Sequence, residues 1–321
     1  MSVQPTVVIE RVVRVAPLGI RFFDPATGRH VSELVVRARP ILRPAADPLP
    51  LFANPSGVFA LNSGVPSVRE FEISRATLGP DADFWSNFPA PAAYRLTVSD
   101  PLERFLPFTL TVDVPTLGLF VWHSGIGSPI EALEGQPVGD PPLFSAPWRA
   151  TPEGMAVLRA DLHDPIAQRA AAWAIVEVRY AGKLLGRGMA SDGGQVVVFF
   201  PYPAPLGFLP ESPPGGPPSP PGAGSLWEQT WPVAIRVAYA PASVAPPSGS
   251  VVDLGVAVAQ LSAAPAAVWA DVARTTLLDG ATLRFGEDLI LRSAPTSPPG
   301  GGGPGSAAPS RLLVTPVGSP P

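Results

Sequence analysis

At 321 residues the chain has room for two modest domains or three small ones, and a hydrophobic content of 46% excludes general disorder. A formal net charge of -4 and a pI near 5.4 argue against a nucleic-acid binder, which needs a basic stripe to displace counterions from phosphates. There is no cysteine, so disulfides, thiolate nucleophiles and thiolate metal sites are excluded.

Charged residues reach only 15%, against roughly 25% in an ordinary soluble domain, so part of the surface is expected to be covered. The 31 Gly and 45 Pro fit strand ends and loops better than long helices. Lys183 is the only lysine, and every other basic residue is arginine. The start, "MSVQPTVVIERVVRV", lacks the layout of a secretory signal. No run reaches the roughly 18 apolar residues of a membrane span. The expected location is the cytoplasm, alone or within a larger particle.

In chain order, "TVVIERVVRVA" (6–16) and "LGIRFFD" (18–24) read as strands. "DPATG" (24–28) is a turn set, in which proline fixes φ and glycine accepts φ > 0. "ELVVRAR" (33–39) resumes the strand pattern. "NPSGVFAL" (54–61) is a turn feeding a strand, and "VREFEIS" (68–74) alternates as a strand should. "YRLTVSD" (94–100) and "FLPFTLTVDV" (105–114) bring the count to about seven, as a small β-sandwich requires.

The order of these pieces resembles the transthyretin-like, carboxypeptidase-regulatory family of seven-stranded Ig-like sandwiches. Asp24, Thr27, Gly28, Val31, Val35, Val36, Ser56, Gly57, Phe59, Tyr94 and Val98 carry the resemblance over residues 7–113. It implies a bracing or connecting module and no chemistry. The insertion 61–93, with Phe84, Trp85 and Phe88, departs from the pattern. The pattern recurs in "GMAVLRADLHD" (154–164) and in 171–203, which resembles the family's second half, with Asp192 to Gln195 as the turn that starts the next strand. The expected fold is all-β, two antiparallel sandwiches in tandem. The first spans 1–134, a linker follows at 135–149, and the second spans 150–293 with a Pro-rich loop at 210–225. A Pro/Gly linker, 294–310, then leads to a last strand or tail at 311–321, pairing with its own sheet or with another subunit's. "APAAVWADVARTTLLDG" (264–280) is the one helix candidate, with Gly280 as its stop.

Candidate chemistry is sparse. Asp161, His163 and Asp164 could serve a hydrolase, but a strand end with a turn-forming Asp-Pro explains them. His30, His123 and His163 stand too far apart in sequence to suggest a metal site. "HSGIGS" (123–128) lacks the central serine of a nucleophile elbow. "GKLLGRG" (182–188) lacks phosphate-loop order and reads as a hairpin turn. No catalytic residue, cofactor, metal or small-molecule ligand is expected.

Trp173, in an apolar run, reads as core. Trp85, Trp148, Trp227 and Trp231 sit beside prolines in loops, where they pack on their own domain, anchor a protein partner or stack on a sugar. A wider pattern resembles a protein encoded with phage-tail-like contractile injection systems. Its clearest positions are Arg104, Phe105, Pro107, Pro115, Pro147, Asp192, Gly194, Pro201, Pro203, Phe285 and Gly286. That resemblance implies a tail or baseplate accessory, hence a non-enzymatic adaptor whose partners are tail-tube or baseplate proteins. The alternatives are a carbohydrate-binding module and a hydrolase with a carboxylate site.

Overall fold

A computed structural model describes residues 13–76, 85–123, 131–204, 226–244, 251–295 and 311–316. The first half holds β1 (Leu18–Ile20), β2 (Phe23–Asp24), β3 (Arg29–His30), β4 (Val35–Pro40), β5 (Leu49–Ala53), β6 (Phe59–Leu61), α1 (Pro66–Ala76), β7 (Ala92–Ser99) and β8 (Phe108–Val114). The second holds β9 (Met155–Asp164), β10 (Arg169–Ala170), β11 (Ile175–Tyr180), β12 (Lys183–Met189), β13 (Gln195–Pro201) and β14 (Thr230–Ala238). It continues with β15 (Val252–Asp253), α2 (Leu254–Ala259), β16 (Ala267–Trp269), β17 (Gly280–Arg284), β18 (Leu289–Leu291) and β19 (Leu312–Thr315). The chain is all-β in class, with several sheets, as its composition implied.

Seven strands form one sheet in the order β1-β6-β5-β4-β7-β8-β15. Alternation places Val36 and Ala38 of β4 and Tyr94, Leu96 and Val98 of β7 inward, while Arg37 and Arg39 face out. Every strand of this sheet contributes to a single core containing Phe22, Phe59 and Phe108, so the sheet wraps around its own apolar face. Phe59 and Phe108 meet Phe22 edge-on, with centroids 5.5 and 6.1 Å away.

In the second half, β12-β11-β14-β17 form one sheet. The other is built on β9, flanked by β13 and β10 on one edge and by β18 and β19 on the other, with β16 beyond β19. The two sheets share a core containing Leu158, Val198, Phe200, Trp231, Val233, Leu283 and Val314. The pairings repeat those of the first half: β9 with β13 as β1 with β6, β11 with β12 as β4 with β5, and β14 between β11 and β17 as β7 between β4 and β8.

The halves are knitted together. Trp173, Ile175, Met189, Ala238 and Val244 enter the first core, as do Leu254, Ala257 and Val258 of α2. β15 adds to β8 in parallel, Val252 opposite Phe108. Buried Gln260 fastens this arm, donating to the Trp173 carbonyl (2.9 Å) and accepting from the Ala240 N–H (2.8 Å).

Several expectations need correction. "VREFEIS" is not a strand but lies within α1, which buries Val68, Phe71, Glu72 and Arg75 at helical spacing and leaves Ile73 exposed. Pro66 suits a first helical turn, and Glu72 is drawn inward because it accepts the Val15 N–H at 2.7 Å. The helix expected over 264–280 is absent. Ala267–Trp269 is β16, paired with β19, and the Asp271 carboxylate then captures the Thr275 and Thr276 N–H groups in a turn. Of the expected strand 6–16, residues 6–12 lie outside the described residues and 13–16 are not strand. The Pro-rich loop 210–225 also lies outside them.

Candidate functional site

The opening turn is a structural clasp. Asp24 accepts from the Ala26 N–H (3.0 Å) and the Thr27 hydroxyl (2.7 Å), which shapes the tight D-P-x-T-G turn. Its two oxygens also take both Arg149 guanidinium nitrogens, at 3.0 and 2.6 Å. Arg149 lies over the Phe105 and Phe199 rings, 4.7 and 5.7 Å from their centroids, so one arginine ties β2, the segment between β7 and β8, and β13. Asp164 repeats the turn: it accepts the Ile166 and Ala167 N–H groups at 2.9 and 3.0 Å and the Tyr239 hydroxyl at 3.2 Å. Burial, then the Asp164 charge, pushes the Tyr239 hydroxyl pKa up.

Glu177 is buried in mid-sheet, with Arg187 at 2.6 Å, Arg179 at 3.1 Å and Arg236 at 3.9 Å. Burial alone pushes its carboxyl up, but hydrogen bonds and charge from Arg187 and Arg179 outweigh this and hold it below the usual range. Asp100 behaves alike: burial raises it, and the Arg104 side chain and backbone N–H together bring it down. Asp140 joins His30 (2.7 Å) to Arg21 (3.4 Å). The Arg149–Asp24 and His30–Asp140 pairs bridge distant parts of the chain, and nothing in the local sequence around Arg149 or Asp140 marks them.

The four candidate tryptophans go to four different elements. Trp148 stands before β9 and donates its indole N–H to the Glu103 carbonyl at 2.8 Å, which fixes a ring that is still 61% exposed. It walls a groove of about 490 Å³ with Pro147, Arg159, Asp161, Gln195 and Ile290. Trp227 sits in the one-turn helix Leu226–Glu228, edge-on to Phe285 at 5.5 Å and largely exposed. Gly286 (φ 76°) is held close under that ring, where a Cβ would come within 2.8 Å of it. Trp85 stacks on Phe71 of α1 at 6.5 Å and meets Phe88 at 5.6 Å.

Trp231 corrects its loop assignment. It lies inside β14, fully buried, with its N–H donated to the Ala204 carbonyl at 3.1 Å. Thr230–Ala238 alternates with Trp231, Val233, Ile235 and Val237 inward, and the neighbouring Pro232 had masked that period. Trp173 is core as expected, but it sits in a turn before β11 with φ 62°.

The hydrolase candidates separate: Asp161 lines the Trp148 groove, whereas Asp164 turns inward to Tyr239. Among the described residues no three His, Asp or Glu side chains cluster as metal ligands would. "GKLLGRG" holds its turn at Ala181 and Gly182 (φ 48° and 82°), and the rest is β12. "HSGIGS" beyond His123 lies outside the described residues. A second cleft, of about 750 Å³, lies between Val13–Pro17 and α1, where Glu72 holds the Arg14 guanidinium at 3.2 Å. Among the described residues no helix is long and apolar enough to cross a membrane.

No protein-family model matches the chain, and no curated protein matches it. Among solved structures it is similar to a "putative adhesin" from Bacteroides ovatus, at 9% identity over 77% of this chain and 85% of that one. The TM-score is 0.16, a likeness too slight to carry an argument.

Proposed function

We propose that this protein is a non-enzymatic adaptor that binds other proteins through its loops and sheet edges. Trp148 carries the reading. Its indole is locked by the Glu103 carbonyl, stays 61% exposed, and stands beside Pro147 and the exposed Ile290. An aromatic ring already held in place loses little freedom on binding, which is how interface anchors act. The buried carboxylates support the same reading, since Asp24, Asp164 and Glu177 are each occupied by arginine, backbone or tyrosine donors that hold the fold.

In this reading the two halves are tandem transthyretin-like sandwiches, supported by the repeated strand pairings. The partners are tail-tube or baseplate subunits of a phage-tail-like contractile injection particle, as the sequence resemblance implies. The adaptor works in the cytoplasm, free or carried within such a particle. The test is co-purification of the tagged chain from its native host, followed by mass spectrometry, with Trp148→Ala in parallel. A tail or baseplate subunit recovered in fixed ratio, and reduced about tenfold by the substitution, is the expected result. Recovery of a lone monomer overturns it.

A further inference from the structure

The outer face of the first sheet carries positive charge without its counter-charge. Alternation turns Arg37 and Arg39 of β4 and Arg95 of β7 to solvent, and the register sets Arg39 directly opposite Arg95. Like charges in that position repel and weaken a strand pair. Among the described residues, none of these three arginines makes an ion pair. Asp113 of β8 stands one pairing step further on, opposite Ala93, and is not within ion-pair distance of them.

The matching face of the second half holds the missing group. There Arg187, Arg179 and Arg236 surround Glu177, at 2.6, 3.1 and 3.9 Å. By the repeated pairings Arg37 stands where Glu177 does. One face therefore has arginines gathered on a carboxylate, and the other has arginines alone. Beside them Val35 and Phe52, which adjoin the paired Val36 and Leu51, are exposed on the same side of the sheet.

We propose that this face docks an acidic segment of a partner protein, whose Asp or Glu carboxylates enter between Arg37, Arg39 and Arg95. Arginine forks take carboxylates through two parallel N–H···O bonds. A carboxylate arriving there also relieves the repulsion between Arg39 and Arg95. A nucleic acid matches less well, because the chain's formal net charge of -4 repels a polyanion and so small a patch neutralises few phosphates. A peptide in addition covers Val35 and Phe52 with apolar side chains of its own. The inference rests on the adaptor reading for the kind of partner and gives it a second face, apart from the Trp148 groove.

A fluorescein-labelled hexaglutamate peptide, its hexaglutamine counterpart and a labelled single-stranded DNA are titrated into the full chain at low salt and followed by anisotropy. Arg95→Glu, which sets a carboxylate opposite Arg39, and Arg37→Gln are measured alongside, with urea unfolding as the check on the fold. The expected result is saturable hexaglutamate binding that weakens at least about tenfold in Arg95→Glu and about threefold in Arg37→Gln, with hexaglutamine silent. Arg95→Glu should also unfold at no lower urea concentration than the parent chain. Hexaglutamate binding that is absent, or indifferent to both substitutions, overturns the proposal. DNA bound more tightly than hexaglutamate, with the same dependence on Arg95, overturns a protein as the occupant. In co-purification from the native host, a partner lost with Trp148→Ala and kept with Arg95→Glu overturns this face alone, whereas a lone monomer that still binds hexaglutamate through Arg95 overturns the adaptor reading alone.

Discussion

In the first half β5 pairs with β6, Phe52 opposite Ala60 and Ala53 opposite Phe59, so one sheet runs unbroken around its core. In the second half the corresponding β12 does not pair with β13 but lies across it, and two sheets face each other instead. Gly186 and Gly188 let β12 lie close against β13. A Cβ on Gly188 would stand 2.5 Å from the Val197 carbonyl oxygen, and one on Gly186 would stand 2.9 Å from that of Phe199. β5, "LPLFA", has no glycine and cannot approach a strand face so closely. The same order of pairings thus occurs once as a continuous sheet and once as a stacked pair, with the two glycines at the close approach in the second. The cores differ as well: the first is completed by side chains from the second half, while the second draws its last strand from beyond residues 296–310.

The sharpest way to break this comparison is at the shared residues. Arg149→Met should cost about 3–5 kcal/mol, because it leaves Asp24 buried without its cation. Urea unfolding followed by tryptophan emission should show that loss. Leu254→Ala, in the second half of the sequence but the first core, should cost about 2–5 kcal/mol. Amide exchange would locate the loss in β4 and β7 rather than β11; equal loss in both halves would mean that they open as one. Gly188→Ala should cost about 1–3 kcal/mol by overpacking against β13. Gly57→Ala, at a turn with φ 74° and no atom within 3.5 Å of the new Cβ, should cost about 1–2 kcal/mol from backbone strain alone.

Strand periodicity was the most legible signal, and β4, β7, β8, β9 and β11 lie where the alternation of Val, Leu and Ile placed them. It failed where a polar side chain took an inward position, as Glu72 does in α1, since burial of a carboxylate depends on a backbone donor brought from Val15. It also failed at 264–280, where alanine favoured a helix and the distant β19 decided for a strand. Residues 24–29 and 164–169 share D-P-x-x-x-R and form the same turn twice, with Gly28 and Gln168 both at positive φ, whereas the recurring turn was expected at Asp192 to Gln195. The partner of Asp24 in its turn was not visible, because Arg149 stands 125 residues further along the chain.

The outer sheet faces give a pH test of the comparison. β4 carries exposed Arg37 where β11 carries buried Glu177, ringed by Arg179, Arg187 and Arg236. Because the Glu177 carboxyl is lowered in the folded protein, its contribution is complete above the ordinary glutamate range near about 4.3. It is lost as pH falls through the lowered value. Acid titration should therefore weaken the β11 amides against exchange before those of β4, and Glu177→Gln should remove that dependence.

The smallest expected effect on stability is at the proposed contact itself. Trp148 gives the fold one hydrogen bond, to the Glu103 carbonyl, and is mostly exposed. Trp148→Ala should therefore cost no more than about 1 kcal/mol in urea unfolding. Trp231→Ala, at the fully buried tryptophan of β14, should cost about 3–5 kcal/mol. A partner interaction that weakens with the first substitution while the fold holds places the contact at the groove. Equal loss of binding with both, in step with stability, would place it elsewhere on the surface.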